Sequence, residues 1–250
     1  MPALPCAFFH TPSLYLPRLP QAPLMTTFEK KLQQLKDDLV TQGNRVFELT
    51  LRAVESYFGR DVAKAQEVIE GDAIIDRVDV DIERASIPLL AMGPTQEHQI
   101  RSVLTIVKIN NELERIADCA VNIAQVVRQY GEEMVEDVPA TFRVMANSVL
   151  GMVRDANRAL SELDVELAQQ VLGFDDAVDR FRSEIGLDAE KNVANGSFSV
   201  SFAFRLRTVT AQLEQMADHC TNICEQVIYL ESGKTVRHSP EGWSQPELPR

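Results

Sequence analysis

The sequence predicts an all-α protein built as two tandem, similar three-helix bundles of six long helices in total. Three observations carry this. Between Met25 and His238 there are only three prolines, Pro88, Pro94 and Pro139, and proline breaks helix interiors. No segment shows the sustained alternation of polar and β-branched residues that marks strands. The chain also repeats itself. The run from Asp61 to Arg77 aligns without gaps on Asp164 to Arg180, and Asn111 to Val127 aligns on Ala211 to Val227. A repeated unit of three helices joined by short turns is expected to pack as an antiparallel bundle, once per copy.

The elements follow in order. A first helix is expected from Thr27 to Phe58, stopping at Gly59, and a second from Asp61 to Leu90, with Pro88 loosening its last turn before Gly93-Pro94. A third is expected from Thr95, as N-cap with Glu97 in the first turn, to Tyr130, ending at Gly131. The fourth should run from Pro139 to Ser161, where proline suits the first turn. The fifth should run from Asp164 to Lys191 before Asn195-Gly196, and the sixth from Ser197 to Glu231, with Ser232-Gly233 as its stop. Residues 1–24 hold six of the twelve prolines and read as a disordered extension, without the charged and apolar regions of a secretory signal. Residues 25–131 form the expected first bundle, 132–238 the second, and 239–250 a loose tail.

Composition narrows the function. The net charge is −12, which argues against nucleic acid, since phosphate binding wants clustered Lys and Arg. Cations or basic protein surfaces are the expected partners. No run of eighteen apolar residues is present, so direct membrane insertion is not expected. The four cysteines, Cys6, Cys119, Cys220 and Cys224, lack CxxC spacing. They indicate a reducing compartment, with Cys220 and Cys224 as core filler.

The chemistry concentrates in acidic pairs four residues apart. They are Asp72/Asp76 and Glu114/Asp118 in the first copy, and Asp175/Asp179 and Glu214/Asp218 in the second. Carboxylates at i and i+4 share a helix face and repel one another. An isolated pair is ordinarily a solvated face. Four pairs at equivalent places in two copies point to a cation held in a groove between two helices. Oxygen donors suit hard cations such as Mg²⁺, Mn²⁺, Ca²⁺ or ferric iron. Asn122 and Asn222 extend the stripe to i+8; each could supply a ligand, support one, or bond across helices. His219 has Cys119 as its counterpart, so an interhelix hydrogen bond is expected of it. No histidine follows a glutamate by three residues, and no GxSxG, P-loop or HExxH occurs. Catalysis is therefore not expected.

The segments ELERIADCAVNIA, QLEQMADHCTNICEQVIYLESGKTVRH and IEGDAIIDRVDVDIE (Ile69 to Glu83) resemble the signature helices of the PhoU family, over residues 25 to 238. The resemblance implies two similar three-helix bundles, often homodimeric, in the cytoplasm. It also implies a negative regulator of phosphate uptake and of the phosphate-starvation response. The partners it implies are the ATPase subunit of a phosphate ABC importer and a sensor histidine kinase. Family members can bind metal ions or multinuclear iron or zinc clusters through acidic motifs. By resemblance this extends to Asp72, Asp76, Glu114, Asp118, Asp175, Asp179, Glu214 and Asp218, with Fe, Zn, Mn or Mg as the metals in view. The second copy departs from the pattern, reading Glu214-Gln215-Met216 where the family has Glu-Arg-Ile. The first site is thus the better match. The competing expectation from the same carboxylates is an iron-storing or metal-buffering helical protein with no phosphate-linked partner. A helical scaffold with solvated acidic faces is the third.

Overall fold

The computed structural model describes residues 25–93, 96–133 and 136–236. Among the described residues there are six long α-helices and no strand: α1 (Thr27–Gly59), α2 (Val62–Ala91), α3 (Glu97–Tyr130), α4 (Ala140–Glu162), α5 (Val165–Ala194) and α6 (Val200–Ser232). A single 3₁₀ turn, Gly131–Glu133, follows α3. The expectations for residues 1–24, for Thr95 as an N-cap and for the tail from residue 239 lie outside the described residues. The helix α3 begins with Gln96 as N-cap, without a side-chain hydrogen bond. Pro139 is the N-cap of α4 rather than a first-turn residue. Pro88 lies inside α2, which continues to Ala91.

Local chemistry explains most helix ends. Thr26 and Glu29 form a reciprocal cap on α1: the Thr26 amide donates to the Glu29 carboxylate (2.7 Å) and the Glu29 amide to the Thr26 hydroxyl (3.2 Å). Asp61 and Asp164 cap α2 and α5 alike, accepting from the amides of Lys64 and Leu167. The residues before them, Arg60 and Leu163, turn through the left-handed region at φ 53° and 52°. The repeat thus extends to an uncommon backbone conformation shared by two non-glycine residues. Gly233 ends α6 at φ 70°.

Helices α1–α3 form one bundle and α4–α6 the other. In the core, Val68, Ile75 and Ile82 of α2 are matched by Val171, Val178 and Ile185 of α5, all at most 4% exposed. Burying each such side chain contributes about 1.5–3 kcal/mol. The bundles join along two antiparallel seams. Between α1 and α4, Asn157 donates to Asn44 (2.7 Å) and Tyr57 packs on Phe142. Gly43 lets the two helices approach, because a Cβ there would overlap the Asn157 amide. Between α3 and α6 the ends are pinned in matching fashion: Arg101 lies over the Tyr229 ring and Arg205 over the Tyr130 ring, 5.8 and 5.2 Å from the centroids.

Candidate metal centre

Each acidic groove is made by the two helices of a copy that run antiparallel on the side of α3 or α6 turned away from the seam. In the first, α2 brings Asp72 and Asp76 against Glu114 and Asp118 of α3. Burial raises the Asp72 carboxyl to about 6, and Asp76 and Asp118 push it the same way. Glu114 is also raised, first by burial and then by Asp118, with Asp79 and Asp76 adding to it and Arg115 opposing. The sequence-predicted carboxylates of the first copy therefore act on one another across the helix pair. The second copy repeats this. Asp175 is raised to about 6 by burial, then by Asp218 and Asp179. Asp218 is raised by burial, Glu214 and Asp179, with His219 and Arg182 opposing. A half-buried carboxylate held among like charges gains when a cation arrives, since the cation relieves repulsion that water does not.

The donor set fits some cations better than others. Among the described residues, no three His, Cys, Asp or Glu side chains converge on one point so as to enclose a metal ion. The carboxylates are spread along the groove: Asp72 to Asp79 is about 10 Å of helix. That arrangement suits a hydrated divalent ion held through one or two carboxylates with water completing its shell. It offers no thiolate or imidazole set of the kind a closed zinc site uses.

The asparagines have other partners. Asn122 donates to Gln212 (2.9 Å) and Asn222 to Glu112 (3.1 Å), both across the α3–α6 seam. The reason is helical drift. Each step of four residues turns about 40°, so a stripe starting in the groove at Glu114 has rotated toward the seam by Asn122. His219 makes the expected interhelix contact, its Nδ1 lying 2.7 Å from Glu112 Oε2. Cys119, its counterpart, faces Gln215 at 3.8 Å. Cys220 and Cys224 are fully buried, and burial drives both thiols upward.

Three groove residues escaped the sequence reading. Asp79 lies on the same face of α2 as Asp72, and Asn110 of α3 binds it. In the second groove Arg182 of α5 pairs with Glu214 of α6. The repeat offsets contained the signal, since Arg182 falls on Asp79 and Thr210 on Asn110.

The PhoU domain model matches this chain twice, over residues 39–127 and 142–227, once in each bundle. The phosphate-specific transport system accessory protein PhoU homolog 1 of Thermotoga maritima is 32% identical over 216 residues, covering 86% of this chain and 93% of that protein. The accessory protein PhoU of Escherichia coli is 24% identical over 211 residues, covering 84% and 88%. Among solved structures, PhoU from Pseudomonas aeruginosa superposes with a TM-score of 0.79 at 28% identity, over 83% of this chain and 100% of that one. The phosphate transport system regulatory protein PhoU from Streptococcus pneumoniae does so at 0.78 and 25%, over 84% and 99%.

Proposed function

The chain belongs to the PhoU family, and from that premise we propose that it is a negative regulator of phosphate uptake and of the phosphate-starvation response. It acts as an adaptor between the ATPase subunit of a phosphate ABC importer and a two-component sensor kinase, in the cytoplasm and as a homodimer. The observation that carries the reading is the extent of the match: both bundles align, with nearly the full length of relatives named as phosphate-transport accessory proteins. The acidic balance of −12 supports basic surfaces on its partners. Among the described residues no helix is long and apolar enough to cross a membrane.

The carboxylate grooves would hold divalent metal, with Asp72, Asp76, Glu114 and Asp118 as donors in the first. A bound ion would neutralise that face and tie α2 to α3, fixing the surface that a partner meets. Catalytic turnover has no place in this role.

The test is affinity capture from the cell of origin, grown with ample phosphate and then starved, alongside uptake of radiolabelled phosphate in a strain lacking the gene. Recovery of an importer ATPase or sensor kinase in a phosphate-dependent way, with unrestrained uptake in the deletion strain, is the expected result. Glu114→Ala/Asp118→Ala should weaken that capture. Stoichiometric metal with neither partner in either condition, and uptake unchanged by the deletion, would replace regulation with metal handling.

A further inference from the structure

The faces of α2 and α3 that carry the carboxylates change character along their length, and they change together. Leu90 lies 18 residues beyond Asp72, and Ile100 lies 18 residues before Asp118. That separation is about five turns, or roughly 27 Å of helix, so each apolar residue shares a face with its aspartate. Ile87 falls about 20° from Asp76, and Leu104 about 40° from Asp118. The bond between Asn110 and Asp79 makes those two positions level on the antiparallel pair, which brings Ile87 and Leu90 beside Leu104 and Ile100. Ile87 is 62% exposed, Leu104 49%, and Leu90 and Ile100 39% each. Large apolar side chains scattered singly on a surface need no explanation. Here four stand together at one end of a groove whose other end is acidic.

The acidic half is not neutralised on its own stripes. Asp79 and Glu83 extend Asp72 and Asp76 along α2, facing Glu114 and Asp118, and no Lys or Arg occupies either stripe; Lys108 and Arg115 flank it on α3. Asp72 and Glu114 are held above their ordinary range by burial first and then by neighbouring carboxylates, a cost that an incoming ammonium or guanidinium lowers. The second bundle keeps only half of this pattern. Val200 and Phe204 repeat Ile100 and Leu104 as exposed apolar residues, but Glu190 stands in the place of Ile87 and Arg207 in that of Val107. Arg182 also donates to Glu214 there. A cationic segment would meet two arginines in that groove, and its apolar part a carboxylate.

We infer that the α2–α3 groove of the first bundle is the docking site of a partner's amphipathic helix, cationic over one half of its bound face and aliphatic over the other. An open groove between two antiparallel helices accepts a further helix laid along it, anchored at i, i+3, i+4 and i+7. The groove's length corresponds to about 18 residues of that helix. The carboxylates select by charge, and the apolar end supplies the burial that exposed ion pairs lack. The inference rests on the adaptor reading given above, and names the surface and the chemistry by which a partner is met.

The test uses the full chain in EDTA and a fluorescein-labelled model helix of about 18 residues, with leucines on one half of a face and lysines on the other, made in both orders. Anisotropy gives the affinity, and backbone amide shifts give the location. One of the two orders is expected to bind, shifting residues 72–90 and 100–118 and sparing 175–193 and 200–218. Ile87→Ser/Leu104→Ser and Asp76→Lys/Glu83→Lys, all at exposed positions, should each weaken binding at least tenfold, with circular dichroism establishing that they are folded. Added salt should weaken binding by wild type, and a peptide with glutamate in place of lysine should not bind. No binding in either order, equal shifts at both grooves, or an affinity unmoved by the folded variants would overturn the inference. So would groove signals that ignore the peptide and shift on dilution, which would assign this face to a second copy of the chain. Peptide binding at the first groove, with no importer ATPase or kinase captured from cells, would sink the adaptor reading and leave the docking site standing. Capture undiminished in Ile87→Ser/Leu104→Ser would keep the adaptor reading and overturn this one.

Discussion

Replacing Asp72 by asparagine should stabilise the metal-free protein at neutral pH. The carboxyl of Asp72 is displaced from its ordinary 3.8 to about 6, chiefly by burial and then by Asp76 and Asp118. Its charged form is therefore tolerated less well in the folded chain than in the unfolded one. At pH 7.5 it is ionised in both states, and the folded state carries the full cost. A displacement of this size corresponds to about 3 kcal/mol at most. The side chain is partly solvated, and screening brings the expected effect to about 1 kcal/mol. For a chain of this length that is about 2–4 °C in Tm.

The sign with pH follows from linkage. Between about 3.8 and 6 the folded state binds the proton more readily than the unfolded state, so the contribution of Asp72 to stability falls as pH rises through that window. Below it both states are protonated and the cost vanishes. The assay is thermal unfolding of wild type and Asp72→Asn in EDTA, from pH 4 to pH 7.5. The variant should melt higher at pH 7.5, and its advantage should shrink toward zero at pH 4. Under the metal reading proposed above, Mn²⁺ at pH 7.5 should reverse the order. A variant that melts lower in EDTA at pH 7.5, or whose difference is flat with pH, would refute the account of Asp72 as a carboxylate whose charge is disfavoured by burial and then by its acidic neighbours.

Two further outcomes follow from the seams. Gly43→Ala sets a methyl group against the Asn157 amide, disturbing its bond to Asn44; it should cost about 1–3 kcal/mol, read as a lower Tm in EDTA and with Mn²⁺ alike. His219→Ala removes the imidazole from Glu112 and should cost about 1–2 kcal/mol in denaturant unfolding, with Mn²⁺ binding by the first groove unchanged.

The fold was legible because its signals are local. Scarce proline, the caps at Asp61 and Asp164 and the gapless repeat each act within a few turns, and together they place all six helix starts within three residues. The carboxylate pairs were legible for the same reason, since i, i+4 spacing needs only one helix. What lay beyond the sequence reading depends on register between helices. Asn110 finds Asp79 only because α2 and α3 run antiparallel with those two residues level. The spacing of Asn122 could not separate a groove ligand from a seam residue, because the answer turns on about 80° of rotation from Glu114 relative to a neighbour the sequence does not locate.

The pattern of change between the copies bears on why the duplicated unit was kept. Residues at the core are kept or change only in size, as in Val68 and Ile82 against Val171 and Ile185, and Ile75 against Val178. Residues at the seam differ in complementary pairs: Glu112 accepts from Asn222 and meets His219, whereas Gln212 accepts from Asn122 and Gln215 meets Cys119. The contacts cross between unlike positions, Glu112 with His219 and Asn222, and Gln212 with Asn122, so two identical faces could also pair and the seam alone does not force the change. The groove ends differ in the same reciprocal manner, aspartate with asparagine in one and arginine with threonine in the other. The two positions change together, since Asp79 accepts from the buried Asn110 whereas the exposed Arg182 reaches Glu214. A seam between two grooves of unlike charge gives the two sides of the chain a different electrostatic character.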